Sequence, residues 1–362
     1  MYRIYMQALK HWQEFRRDSL SISLSFLLPL ITLLLFGYGI RLHAHDLKIS
    51  VHDCSMTSAA REIVERLQAT NSLHARVFGN CEYSNALESG DSKAVVLIPS
   101  DLERDLLSSK PAALEVLIDG TDIVNGRFVR SAICGAILKV KSSSSELYSK
   151  RILYNAGLKE SIFVVPGVYG IVLWIFPCLL GCVAIARERE QGSMVQITLS
   201  SMSSVEYLLG KWVVYWLLGM GQAFLVLLAG YFLFGIKFLA NPLPFIISLP
   251  LYLAAAVLFG LSIGAWSKSQ TSAVQAVSSL AFFTSLLLSG FIYPLANIPG
   301  AFSWISYLVP PRYFIEISRS TFIKGAGWGS CLPDLAIIVS FLVLFALTAL
   351  LGCHRFKARC YT

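Results

Sequence analysis

From Ile162 to Ala186 the chain carries no Asp, Glu, Lys, Arg or His, and the next four residues are Arg187-Glu188-Arg189-Glu190. An apolar run of that length matches the hydrocarbon core of a bilayer. No water is available there to satisfy backbone polar groups, so such a run has to be helical. The same reading applies to Leu20–Ile40, Trp212–Gly235, Leu243–Trp266, Ser272–Tyr293 and Leu335–Cys353. The expected fold class is a polytopic α-helical membrane protein with six transmembrane helices.

Charge places those spans. Only 14% of residues are charged, against about 25% in soluble domains. Residues 41–161 hold as many acidic as basic side chains, so the net charge of +8 comes from the sequence around the spans. That distribution is an orientation signal and not a nucleic-acid footprint. Residues 1–19 read as an interfacial amphipathic helix, with Tyr5, Ala8, Leu9, Trp12 and Phe15 on its apolar face. Arg16-Arg17 then holds the N-terminus in the cytoplasm, ahead of the first span at residues 20–40. Counting spans from there puts Arg187, Arg189, Lys211, Lys268, Arg355, Lys357 and Arg359 on the cytoplasmic side, with both termini inside.

Residues 41–161 fall outside by the same count. Leu47–His52, Leu73–Phe78, Ala94–Ile98 and Leu114–Ile118 read as strands and Ser58–Gln68 as a helix, which predicts a small external α/β domain. Asp122–Lys159 is expected to return to the membrane as a long helix. Cys54 and Cys81 lie in this external block and can pair, which sequence leaves open; Cys178, Cys182 and Cys353 are packing residues. His43, His45, Asp46, His52 and Asp53 are metal-capable but lack a ligand spacing, so no metal site is expected. The core at 162–362 then holds five spans, a cytoplasmic elbow at 187–211 and an interrupted external stretch at 294–331. Pro294, Pro299, Pro310 and Pro311 break that stretch. It reads as a partly re-entrant helix pair with Arg312, Glu316 and Arg319 at its rim, or as an amphipathic loop on the headgroups.

Catalytic chemistry is missing. No G-x-x-x-x-G-K-[ST] loop, H-E-x-x-H or G-x-S-x-G occurs, so no cofactor is expected on this chain. The six expected spans hold no ionisable group of the kind that ion-coupled carriers use. In the fifth, Gln275, Ser278, Ser285 and Ser289 recur near helical spacing, either lining a path between two copies or packing helices together. Gly260 and Gly264 form a small-xxx-small pair that reads as packing.

Three blocks resemble the membrane subunits of type-2 ABC exporters, the bacterial multidrug class. The first is Arg187–Glu190, Gly192-Ser193-Met194, Gln196 and Leu208-Leu209-Gly210-Lys211. The second is Ser289-Gly290-Phe291-Ile292-Tyr293-Pro294, Asn297-Ile298-Pro299, Leu308-Val309-Pro310 and Tyr313. The third is Phe163-Val164-Val165-Pro166-Gly167. Gln191, Val195 and Ser201 depart from the family's usual basic, Glu and Pro residues there. The resemblance spans essentially the whole chain. It implies a bacterial inner-membrane permease that is not itself an enzyme, pairs with two copies of a separate ATP-binding subunit carrying ATP-Mg, and exports a lipophilic drug or lipid-like compound. It also implies a homodimer, or a heterodimer with a paralogous permease, in contact with membrane lipids and a periplasmic adaptor protein. Arg187, Glu188, Arg189, Glu190, Gly192, Met194, Gln196 and Lys211 would then dock the motor. The alternatives are a mechanical permease, or a scaffold or receptor that transports nothing.

Overall fold

A computed structural model describes residues 2–39, 47–70, 73–79, 92, 94–107, 114–118, 129–135, 160–193, 202–239, 241–292, 295, 300–325 and 327–359. The chain divides into two compact units, Arg41–Arg151 and the remainder, Met1–Ile40 with Ile152–Thr362.

The larger unit begins with α1 (Tyr2–Arg17) and α2 (Ser19–Gly39). The smaller unit follows as β1 (Leu47–Asp53), α3 (Ser58–Gln68), β2 (Leu73–Phe78), β3 (Ala94–Ile98), α4 (Leu102–Leu107) and β4 (Glu115–Ile118). Its strand order is β2-β1-β3-β4, with β1 parallel to both β2 and β3 and β4 antiparallel to β3. Parallel neighbours need a crossover, and α3 supplies it between β1 and β2. Thr57 caps α3 by accepting from the Ala60 N–H, and Ala60, Ile63 and Leu67 face the sheet. Ile49, Val51, Val96 and Ile98 complete that core. The four expected strands and the helix are present within a residue at each end. Within Asp122–Lys159 only residues 129–135 are described, as helix, with Val129 and Ile133 buried in the same core. His52 and Asp53 are built into β1. The Asp53 carboxylate accepts from the backbone N–H of Ser55 and Met56 and so closes the turn after β1. His43, His45 and Asp46 lie outside the described residues. Cys54 is disulfide-bonded; Cys81, whose pairing with it the sequence leaves open, also lies outside them.

The larger unit continues with α5 (Glu160–Glu190), α6 (Ser204–Phe234), α7 (Leu243–Trp266), α8 (Gln270–Leu288), α9 (Gly300–Ser306), α10 (Pro310–Arg319) and α11 (Trp328–Arg359). Among the described residues five helices are long and apolar enough to cross a membrane, namely α5, α6, α7, α8 and α11. Within α2, Ser25–Gly39 is a shorter apolar stretch. Helix α2 runs parallel to α6: the Gln222 amide donates to the Ser25 carbonyl at 2.8 Å, and Gly37 faces Phe234 twelve residues further along.

Helix α5 is the axis of this unit, and small residues let α7 close on it. A Cβ on Gly260 would sit 2.0 Å from the Cys178 carbonyl oxygen, and one on Gly264 2.5 Å from that of Cys182. Trp174 of α5 stacks on Tyr252 of α7 at 5.4 Å, and Tyr252 lies flat on Phe314 of α10 at 4.1 Å. Helix α10 is therefore inside the unit and not laid on its surface. Pro310 and Pro311 start it where no helical N–H is needed. Pro310, Tyr313, Phe314 and Ile317 are buried, and the Ser318 hydroxyl donates to the Pro166 carbonyl at 2.9 Å. Arg312 donates to the Ser306 hydroxyl and covers the Tyr307 ring, so it is held and not left at a free rim. Pro294 and Pro299 lie outside the described residues.

Helix α8 departs from expectation. Ser278–Phe283 is π-helical, which widens the turn and shifts the register. Gln275 and Ser278 are exposed while Ser285 and Ser289 are buried, so the four do not share one face. Ser278 and Ser285 hydroxyls return to backbone carbonyls of their own helix.

The glycine approach gives a direct test. Gly260→Val should lower the detergent-solubilised melting temperature, overpacking of this kind costing about 1–3 kcal/mol. Gly329→Val, with nothing within 4 Å of its added carbon, should melt like the parent.

Candidate functional site: a buried charge cluster at the elbow

The charged run was expected to cap the second span and present its charges to the motor. Helix α5 continues to Glu190, so Arg187–Glu190 do form its last turn, but their side chains turn to partners within the unit. Each residue of a turn points about 100° from the last, and the four charges go to four different partners. Arg187 reaches Asp18, after α1, at 3.2 Å. Arg189 donates to the Ala265 and Ser267 carbonyls, the unsatisfied end of α7. Glu190 accepts from the Gln270 N–H at 3.0 Å, at the start of α8. Glu188 turns inward.

Its partner is Lys211. The helix that holds the third span begins at Ser204 and not at Trp212, because Ser203 and Glu206 form a reciprocal capping box. Lys211 thus lies two turns inside α6. Only 1% of it is exposed, and 8% of Glu188. Lys211 Nζ is 3.0 Å from Glu188 Oε2 and donates to the Ala184 carbonyl at 3.0 Å. The Tyr207 hydroxyl donates to the same Glu188 oxygen at 2.6 Å. Two donors on one oxygen leave Oε1 with no hydrogen bond.

Helix α1 closes the cluster, with a polar stripe turned toward the protein. Gln7 and His11 are buried, whereas Tyr5, Leu9 and Trp12 are exposed on the opposite side, as an interfacial helix requires. Gly210 admits the helix: a Cβ there would meet Gln7 Cβ at 2.8 Å. His11 Nε2 lies 2.9 Å from Gln7 Nε2 and 3.7 Å from Glu188 Oε1, and His11 Nδ1 lies 3.0 Å from Glu14 Oε2. An ionised carboxylate only accepts, so the proton of the neutral ring sits on Nδ1 and is donated to Glu14, which leaves Nε2 to accept from the Gln7 amide. Burial, with Lys211 and Lys10 close by, pushes the His11 pKa down to about 2. A cavity of about 320 Å³ opens beside the cluster, lined by Lys10, His11, Glu14, Asp18, Glu188 and Lys211 among others.

The docking set inferred from sequence is thus divided. Arg187, Glu190 and Gly192 are exposed, Gly192 at φ 71° in the turn that ends α5, while Glu188 and Lys211 are interior and Arg189 is tied to α7. Met194 and Gln196 lie outside the described residues. Reversing Glu188 therefore does not remove a surface contact; it leaves a buried cation opposed. Sequence reading missed Gln7, His11, Glu14 and Tyr207. The available signal was the uncharged pair Gln7 and His11, one turn apart on the otherwise charged side of α1.

All these contacts are at one end of the larger unit. They gather the start of α2, the end of α5, the starts of α6 and α8 and the end of α7. The end of α11 joins them, since Arg355 lies 5.3 Å from the Trp266 ring.

Two outcomes follow. Lys211→Met or Glu188→Gln alone should each destabilise the chain, since breaking a buried pair costs about 3–5 kcal/mol. Glu188→Leu combined with Lys211→Met should recover most of the loss, read as melting temperature; additive losses would contradict the pairing. Because folding holds His11 neutral, the unfolded chain takes up a proton that the folded one does not. His11 therefore costs nothing above about pH 6.5, and stability is lost as pH falls from there toward 2. In chelator-containing buffer the melting temperature of the parent should fall more steeply between pH 7.5 and 5 than that of His11→Gln; parallel profiles would contradict it.

Comparison with known proteins places relatives along nearly the whole chain. The family described as "ABC-2 family transporter protein" matches residues 19–351. The chain is 25% identical over 335 residues to the probable multidrug ABC transporter permease YbhS of Escherichia coli K12, covering 89% of each. It is 24% identical to YbhR, another probable multidrug ABC transporter permease of that strain, over 93% of this chain and 95% of the relative. It is 21% identical to the inner membrane transport permease YhhJ, over 84% of each.

Proposed function

The chain belongs to the ABC-2 family of transporter proteins, and on that premise we propose that it is the permease of an exporter for a lipophilic, drug-like or lipid-like compound. As a type-2 ABC permease it is a multi-pass membrane subunit and not an enzyme, with ATP hydrolysis in a separate ABC subunit. The proposal adds direction, substrate class and topology. Both E. coli relatives above 90% or near 90% coverage carry the word multidrug in their names, which supports the substrate class.

The observation that carries the topology is the common end shared by α1, the elbow and the end of α11. Arg187, Arg189, Lys211 and Arg355 gather there, as the positive-inside rule asks of a cytoplasmic face. Six spans with both termini inside bring those segments to one face, and the parallel course of α2 beside α6 supports counting α2 as the sixth. The α/β unit then lies on the opposite, periplasmic side of an inner membrane; the Cys54 disulfide supports an oxidising surrounding.

Two copies of the ATP-binding subunit, carrying ATP-Mg, would press on the exposed part of the elbow at Arg187, Glu190 and Gly192. Glu188 and Lys211 would pass the displacement into α5 and α6. The permease would act as a homodimer or with a paralogous permease, in contact with membrane lipids. Gln275 and Ser278 on the exposed side of α8 would line the path between copies, α10 would close its outer end, and a periplasmic adaptor would meet the external unit.

Affinity purification from native membranes tests the reading. A P-loop ATPase should co-purify and hydrolyse ATP, and Arg187→Glu should reduce its recovery at least fivefold. The melting temperature of the permease should fall only slightly, since the half-exposed pair with Asp18 is worth about 1 kcal/mol or less. A chain that purifies without an ATPase under dimer-preserving conditions points to a scaffold or receptor instead.

A further inference from the structure

We propose that His11 and Glu188, with Glu14 behind the imidazole, form a site for a divalent transition-metal ion between α1 and the end of α5. The proposal does not depend on what the permease exports. His11, Glu14 and Glu188 each present a ligand atom, all within 4.8 Å of one another. Glu188 Oε1 is buried and accepts nothing, although Oε2 of the same group takes both Lys211 and Tyr207. It faces His11 Nε2 at 3.7 Å, and that nitrogen carries a lone pair because its proton is on the other side of the ring. Two lone pairs set 3.7 Å apart are mutually repulsive until a cation lies between them.

The spacing suits such an ion. Zinc lies about 2.0–2.2 Å from imidazole nitrogen and carboxylate oxygen, so one ion bridges this gap with an open ligand angle. The second ring nitrogen is already oriented as ligating histidines require, donating its proton to the Glu14 carboxylate at 3.0 Å. Gln7, one turn before His11, now points its amide at Nε2; rotated about its terminal bond it offers an oxygen as third ligand. The adjoining cavity has room for water to complete the coordination. A nitrogen, a carboxylate and an amide oxygen suit Zn²⁺ better than Ca²⁺ or Mg²⁺, which prefer oxygen alone. Lys10, Lys211 and Arg187 line the same cavity and oppose a cation, so the affinity should be micromolar. A bound ion would staple α1 to α5 across the coupling elbow and so regulate the push that passes through it.

The test is calorimetric titration of the chelator-stripped, detergent-purified full chain with ZnCl₂. One ion per chain should bind. His11→Gln should abolish binding, and Glu14→Gln, a half-exposed change, should weaken it at least tenfold with the apo melting temperature unchanged. Lys211→Met should bind at least tenfold more tightly, and its melting temperature should rise on adding Zn²⁺ because the ion replaces the lost ammonium beside Glu188. No saturable binding in the parent chain, or affinities in His11→Gln and Glu14→Gln equal to the parent's, would overturn the site.

Discussion

A carboxylate and an ammonium cannot be taken out of water separately, and the larger unit is organised around keeping Glu188 and Lys211 together. An unpaired buried charge costs several kcal/mol. The pair therefore dictates that α5 extend past the apolar run to place Glu188, and that α6 start early enough to place Lys211. Tyr207 and the Ala184 carbonyl complete the hydrogen bonding of the two charges. Gly210 is small because α1 must lie directly over the pair. Local sequence rules that look unrelated, a capping box at Ser203 and a left-handed turn at Gly192, serve the same end: they end one helix and begin the next at fixed angles about this pair.

Under the proposed coupling, that arrangement would let a membrane subunit without a nucleotide loop answer to an external motor. A flexible charged loop would absorb a push. A helix end held by partners on α1, α6, α7 and α8 passes it on to the helices themselves. Farther along α5, the close contacts at Gly260 and Gly264 and the ring stack from Trp174 through Tyr252 to Phe314 tie α7 and α10 to the same axis. The force would thus reach the buried α10 without a contiguous polar path. Exposed surface on α8, where the π-helical turn separates Gln275 and Ser278 from Ser285 and Ser289, is left for neighbours.

Much of this was legible in the sequence, for identifiable reasons. Span α7 was read to the residue, Leu243–Trp266, because Pro242 and Pro244 open it and Ser267 closes it. The α/β unit was legible because buried parallel strands such as Ala94–Ile98 are short continuous apolar runs. Charge was less informative. Arg187–Glu190 looks identical in sequence whether its side chains face water or each other, and only the positions of Asp18, Lys211, Ala265 and Gln270 decide. The burial of His11 was invisible for the same reason: beyond Gln7 and Glu14 on its own helix, its neighbours Glu188 and Lys211 come from α5 and α6. The four polar residues of α8 fall on more than one face because helical spacing assumes a constant turn, which the π-helical segment violates.

The central claim is that α1, the end of α5 and the start of α6 move as one body. Spin labels at the exposed positions Tyr5 on α1 and Val205 on α6, in a chain with Cys134 replaced, measure it directly by pulsed electron resonance. The measurement is made on the complex with its ATP-binding subunit, with and without nucleotide. A rigid latch predicts one narrow distance that is unchanged between the two states, while labels at Tyr5 and Leu347 shift. A Tyr5–Val205 distance that broadens or moves with nucleotide would mean that the latch opens during the cycle, and that the Glu188–Lys211 pair does not carry the coupling.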